Sequence, residues 1–520
     1  MKKSPLLSHL LLFWAIFFYT SGYSQNEKGS KVEILNTDEL VFDEAINAKR
    51  LIGNVKFRHD EVLMFCDSAY VYDNNSLDAF SNVRIEGDKT ILTGNKLFYD
   101  GQSKKANITG NVFLQDEEMT LKTSSLVYDL KLKTAFYSNG ATINNIKENN
   151  TLVSKKGNYF SNTKTLFFKD SVVITDKEYT LKSDTVKHLI NSKTSFFFGP
   201  TEIKSKEALI YANYGKYEGK NEKAFLSKRA KIFTEDQILE GDSIFYDQKK
   251  GIGEGFNNVI VIDTTNNNVL KSNYAFYDEE KEFTLMTRKV EMIMISDGDS
   301  LFLHADTLVS FPTDTSKKIE PEKSDTGKKN EDKIIKAFHH VKFFRKDLQG
   351  VCDTLIYSTK DSLIQLLHNP IIWSDENQLT SEKIELTVKS GEIRQIEMIN
   401  SAFMVSQVDT IKFNQVKGKS MKAFFEKGEI YKVDVYSNAE SIYYVREEDS
   451  TMVGVNKTIS DDLKILIEEN EVKSISFYKK PIATLYPIKD ANPNEVILKN
   501  FIWQPKKRPK KREDIFEWVP

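Results

Sequence analysis

Five times along the chain a small polar residue is followed two positions later by an apolar one and two later again by tyrosine or its like: Asn95-Leu97-Tyr99, Ser124-Leu126-Tyr128, Asp242-Ile244-Tyr246, Asn273-Ala275-Tyr277 and Asp353-Leu355-Tyr357. Carboxylates and amides at regular intervals could serve as acid and base groups or hold cations. Such chemistry needs one copy whose environment differs from the others. None differs, and the row is better explained as a hydrogen-bonding ladder between neighbouring strands. Gly418-Lys419-Ser420 lacks the upstream glycine of a phosphate-binding loop, that place being Phe413. Gly251, Gly253 and Gly255 lack dinucleotide spacing, and no Gly-x-Ser-x-Gly or His-Glu-x-x-His motif occurs. The adjacent His339 and His340 would point to opposite faces of a strand, which does not suit one metal. The expectation is a protein that is not an enzyme, with no catalytic residues, no metal site and no cofactor.

The two cysteines stand in matching contexts, Cys66-Asp67-Ser68 and Cys352-Asp353-Thr354. In a repeat array these are equivalent sites many layers apart, beyond the ~6 Å Cα separation of a disulfide. Two free, buried thiols are expected.

The elements that carry these residues repeat. A turn-like pair followed by an alternating apolar strand appears as Gly53-Asn54-Val55-Lys56-Phe57, Ser81-Asn82-Val83-Arg84-Ile85, Gly110-Asn111-Val112-Phe113-Leu114, Asp170-Ser171-Val172-Val173-Ile174 and Asn257-Asn258-Val259-Ile260-Val261. Counting weaker copies at Ala141, Thr201 and Ala230, the steps from Val55 to Val290 are 28, 29, 29, 31, 29, 29, 29 and 31 residues. Tyr-Asp pairs such as Tyr99-Asp100 and Tyr246-Asp247 mark turns. Each unit reads as two or three short strands joined by tight turns. A unit of this size cannot bury its own apolar face, so the units stack and share one core. The composition agrees: apolar residues make up 40% and aromatic residues 12%, and glycine (23) and proline (11) are sparse for 520 residues. Lys plus Arg (73) nearly cancel Asp plus Glu (75), which leaves no global field for nucleic acid.

At the N-terminus Lys2 and Lys3, an apolar stretch from Leu10 to Phe18 and small polar residues up to Ser24 have the layout of a secretory signal. The step from Val290 to Val341 is 51 residues, the excess lying in a charged stretch from Thr313 to Lys333 that has too little apolar surface to order itself. Near Ala439 the repeat weakens and a cap is expected. The tail has a basic cluster, Lys506, Lys507, Arg508, Lys510, Lys511 and Arg512, followed by Phe516 and Trp518. It reads either as a solvated terminus or as a contact for a membrane surface.

The Gly-Asn-Val strands, the Tyr-Asp turns and Cys66-Asp67-Ser68-Ala69-Tyr70 together resemble the OstA-like, or LptA-like, family of organic-solvent-tolerance and lipopolysaccharide-transport periplasmic proteins. The likeness is closest over 32–175 and continues more weakly to about Tyr436. The resemblance implies an all-β, elongated repeat β-jellyroll, a folded-over antiparallel sheet with ~30-residue repeats. It also implies an apolar interior that carries lipid A acyl chains, and partners of the same fold joined end to end. Length sets this chain apart from the short bridge proteins of the family. The organisation expected is a signal peptide (1–24), an OstA-like β-repeat domain (27–312), a disordered charged insertion (313–335), a continuation of the array with a C-terminal cap (336–490) and a basic, aromatic tail (491–520).

In that frame Val55, Phe57, Val83, Ile85, Val112, Leu114, Val172, Ile174, Val259 and Val261 share one face and line a continuous apolar trough for lipid, while Lys56 and Arg84 point to water. The function expected is lipopolysaccharide binding and transport across the periplasm during outer-membrane assembly. The location is the periplasm, with the outer membrane as a further point of association. The alternative is a structural or adhesive β-solenoid of the envelope, whose interior would be fully packed.

Overall fold

The computed structural model describes residues 31–313 and 332–518, except 88, 147–148, 207, 236, 265–267, 297–298, 390–391, 448–450, 470 and 493. The signal-peptide segment and most of the charged insertion lie outside the described residues. Among the described residues every regular element is a β-strand apart from one short 3-10 turn, Arg512–Phe516. The chain divides into two compact units, residues 1–117 with 122–133, and residues 118–121 with 134–520.

In the first unit the strands Ala48–His59, Val62–Tyr72, Ser76–Gly87, Thr90–Asp100 and Lys105–Gln115 follow one another as an antiparallel meander. Each is longer than the short strands expected, because the Gly-Asn and Asn-Asn pairs do not end strands. They sit inside them. Gly53 (φ +80°) and Asn54 (φ +45°) both adopt the left-handed region and together face the single residue Asp67 across the ladder. Two residues opposite one form a bulge, which bends the strand. The same pair of left-handed residues recurs at Ser81-Asn82, Gly110-Asn111, Asp170-Ser171, Asn257-Asn258, Arg288-Lys289 and His339-His340. Turn chemistry and bulge chemistry use the same residues, which is why the sequence suggested a turn.

Bending every second strand at the same level folds the meander over into two arms joined at a spine of corners. The first arm is made by segments before the bend, such as 48–52, paired with segments such as 68–72; the second pairs 55–59 with 62–66. The recurring polar residues pin the corners. Asn82 Nδ2 donates to Asp67 Oδ2 (2.8 Å), Asn258 Nδ2 to Asp242 Oδ2 (2.9 Å), and Asn54 Nδ2 to Asp38 Oδ2 (2.9 Å). His340 and His339 bond to Asp306 (2.7 Å) and Asp353 (3.0 Å), one on each neighbouring strand. The polar row is thus a ladder across strands. At the far ends of the first arm the Tyr-Asp pairs do make turns: Asp100 accepts from Gln102 N (3.0 Å) and the Ser103 hydroxyl (2.6 Å), and Asp129 from Leu132 N (2.8 Å).

The second unit continues the same scheme from Thr134–Tyr137 to Ile482–Pro487. Where a cap was expected, strands run on; Glu471–Tyr478 and Ile482–Pro487 each pair with one neighbour among the described residues. The inward side of this unit holds a core that includes Met286, Leu303, Phe343, Leu379, Met404 and Val433. Large rings fill space above glycines on the paired strand: a Cβ at Gly215 would overlap the Phe197 ring, and one at Gly350 the Phe343 ring.

The tail is neither a free terminus nor a detached arm. Residues 496–518 form a strap across the outward face of the second arm. Buried Gln415 donates Nε2 to Val496 O (3.1 Å) and accepts from Leu498 N (2.9 Å); buried Gln378 does the same with Ile502 O (2.7 Å) and Gln504 N (2.8 Å). Arg508 donates to Gln349 (2.7 Å), and Arg512 binds Glu291 through Nε (2.8 Å) and Nη2 (2.6 Å). Under and beside the strap lie Phe403, Val405, Ile442, Tyr444 and Val455, with Val496 and Leu498 packed on them.

Two outcomes check this account. Asn82→Val places a β-branched residue at φ +49° and should lower unfolding free energy by about 1–3 kcal/mol in denaturant titration, whereas Asn82→Gly should cost far less. Gln378→Ala leaves two partly buried backbone groups of the strap without their partner and should cost about 1–3 kcal/mol; a change near zero would show that the strap is not held there.

Candidate functional site

The slot between the arms is lined by alternate residues. Of those predicted to line it, Val55, Phe57, Val83, Ile85, Val112 and Leu114 all face inward in the first unit and are buried, none more than 4% exposed. Val172 and Val259 are also fully buried, beside their corners. Ile174 and Val261, one step further from the spine, are half-buried. Corner valines therefore plug the spine, and the lining changes character along the array.

In the first unit the slot is filled. Leu51, Leu77, Leu92 and Ile108 are buried there together with Val55, Phe57, Val83, Ile85, Val112 and Leu114, each side chain contributing about 1.5–3 kcal/mol through removal from water. From Thr194–Ser205 to Asn268–Asp278 in the second unit burial is uneven: Phe197, Leu226, Ile244 and Val259 are buried, while other inward residues are less so. Inward-facing Ile203, Ile210, Ile232, Leu239, Val261 and Leu270 on the second arm are all half-buried. On the opposite arm Tyr217, Tyr246 and Tyr277, four residues past their corners, are 36%, 36% and 43% exposed. Burial and nearby carboxylates, Glu222 for Tyr217 and Glu279 for Tyr277, push both phenols above their ordinary range, so they stay neutral donors. This stretch is a strip of half-buried aliphatic surface edged with hydroxyls, with Val261 and Leu270 packed against the core that follows. Beyond it the inward residues are buried again, from Met286 and Val290 onward.

Outward residues answer the same alternation. Opposite the half-buried strip, the outer face of the second arm carries paired charges, Lys182–Glu202 (3.3 Å), Lys231–Glu240 (2.5 Å) and Lys271–Glu291 (3.3 Å). Apolar in and ion-paired out fixes the register, because a one-residue slip would exchange the faces. The sequence missed Ile203, Ile210, Ile232, Leu239 and Leu270, although each belongs to the same alternation. Their copies of the Gly-Asn-Val signature are weak: Thr201 and Ala230 replace valine.

Among the described residues no group of three His, Cys, Asp or Glu side chains could hold a metal, and no helix is long and apolar enough to cross a membrane. Both cysteines are free and buried. Burial pushes the Cys66 thiol up to about 12 and the Cys352 thiol higher still. Neither forms a thiolate near neutrality. At pH 8 the folded protein should therefore resist N-ethylmaleimide at both positions and take up two equivalents in denaturant; fast labelling of the native protein would contradict the closed cores around them.

Strands folded double around a shared apolar slot, at a spacing of about 29 residues, define a repeat protein of the jellyroll kind. Residues 29–184 match the model of the family described as OstA-like protein. Among curated proteins none matches the sequence. Among solved structures the chain is similar to LptH of Pseudomonas aeruginosa, described as the LptA homologous periplasmic component of the lipopolysaccharide transport device. Identity is 12%, over 27% of this chain and 99% of that one, with a TM-score of 0.22. It is also similar to the WD40 domain of SCAP from fission yeast, at 9% identity over 85% of this chain and 98% of that one, with a TM-score of 0.09.

Proposed function

We propose that this protein binds lipopolysaccharide by its acyl chains and takes part in moving it through the periplasm toward the outer membrane. The observation that carries the reading is the half-buried aliphatic strip formed by Ile203, Ile210, Ile232, Leu239, Val261 and Leu270, which contrasts with the buried lining of the first unit. An acyl chain laid there gains about 0.8 kcal/mol per buried methylene. The phenols of Tyr217, Tyr246 and Tyr277 stand at the rim, where a polar headgroup would sit. Transfer of this kind breaks no covalent bond, and the protein acts as a carrier. The OstA-like character of residues 29–184 supports the same class of function.

The partners are proteins of the same fold, joined end to end. Both terminal edges suit that: Glu33–Asn36 and Glu39–Asp43 start the array with Leu40 and Phe42 about half exposed (52% and 51%), and Ile482–Pro487 ends it with Ile482 71% exposed. An open edge with apolar side chains is a template for a further strand. Lys506, Lys510 and Lys511 remain outward on the strap with Phe516 and Trp518, and offer a contact for an anionic membrane surface.

A structural β-solenoid remains the second reading, favoured by the closed cores of the first unit and of the stretch after Met286. Photo-crosslinkers separate the two. Placed at Leu239 or Val261 they should capture lipopolysaccharide in cells, and placed at outward Lys231 or Glu240 they should not. Equal capture at inward and outward positions, or none at either, would favour the structural reading.

A further inference from the structure

The free ends of the two arms of the first unit are tied directly to each other. His59, the last residue of Ala48–His59 on the second arm, is 2% exposed; its Nδ1 lies 2.6 Å from the hydroxyl of Tyr99, which is 1% exposed on the first arm. The rings meet edge-on with centroids 5.7 Å apart. Just outside them Lys104 Nζ, in the turn after Thr90–Asp100, donates to Asp60 Oδ2 (2.6 Å), in the turn after Ala48–His59. Val32 N donates to Asn75 Oδ1 (2.8 Å) across the same opening.

A histidine–tyrosine pair is an expensive way to fill an apolar slot. Two apolar rings would occupy the same volume with no desolvation cost, whereas the polar pair is favourable only while its bond is made. What the polar pair adds is an alternative state: once apart, both groups can be hydrated. Tyr217, Tyr246 and Tyr277 hold the position equivalent to Tyr99, four residues past the corner. In their stretch they are exposed, and the Tyr246 hydroxyl donates to Glu279 of its own arm (3.1 Å). Tyr99 thus reaches across the mouth of its slot, whereas the Tyr246 hydroxyl bonds within its own arm.

We infer that His59–Tyr99 and Asp60–Lys104 form a clasp that holds the first unit shut, and that its release admits an acyl chain beside Cys66. The inference rests on the transport reading for the identity of the guest, but the clasp itself does not. Cys66 faces the slot at 5% exposure, and Cys352, in the second unit at 3%, is a built-in control. The experiment labels the full chain with N-ethylmaleimide, comparing the wild type with a Tyr99→Phe, Lys104→Ala variant. Cys66 should react about tenfold faster in the variant, Cys352 should stay unlabelled, and purified lipopolysaccharide should slow Cys66 again. Amides of Val62–Tyr72 and Ser76–Gly87 should stay slow to exchange with solvent; Lys104→Ala alone should give an intermediate rate.

An unchanged Cys66 rate overturns the clasp. So does a rise at Cys66 that comes with general loss of amide protection, or with labelling of Cys352, since the bonds would then hold the fold and not a mouth. Faster labelling that lipopolysaccharide leaves untouched overturns the admission of the guest. Failure of a crosslinker at Val261 to capture lipopolysaccharide would instead count against the transport reading, while selective labelling of Cys66 would still establish the clasp.

Discussion

Two consecutive left-handed residues facing one partner residue are the constraint on which everything else depends. Without them, strands of eleven or twelve residues would make an open two-faced meander whose apolar side has nothing to cover it. With them, every unit turns its apolar alternation onto itself. The left-handed backbone costs about 1–2 kcal/mol at a residue other than glycine, asparagine or aspartate, yet Arg288-Lys289 and His339-His340 adopt it. Neighbouring corners carry that cost together, through the side-chain bonds that tie each bend to the strand beside it.

A shared slot then gives the array two possible states at each layer. Bulky side chains can be fully buried in it, as Phe57, Leu77 and Leu114 are, or aliphatic side chains can stay half-buried, as Leu239 and Val261 do. The backbone plan is the same in both. Which state a layer takes depends on inward side-chain volume and on what sits at the free ends, so one chain can combine rigid stretches with receptive ones.

Much of this was legible in the residues. Spacing gave the repeat, alternation gave the inward face of Val55 and its equivalents, and the matching contexts of Cys66 and Cys352 gave two free thiols. The bend was not legible, because Gly-Asn is equally good at ending a strand and at kinking one. Nor was the difference in burial between the inward residues of the first unit and those around Leu239 and Val261, which the alternation of a single strand does not encode. The tail misled for another reason: its lysines and arginines look solvated in sequence, and the glutamines that seat it, Gln349, Gln378 and Gln415, are scattered over strands with no common motif.

The strap bears on the order of assembly. Arg512 meets Glu291, which leaves the ribosome 221 residues earlier, and Leu498 meets Gln415 across 83. Strands of the array can pair with their neighbours as they emerge, since their contacts are local. The outer layer cannot form until residues 496–518 have been made. Until then an apolar flank around Val405 and Ile442 stays uncovered, so the array's outward face is finished later than its inward one.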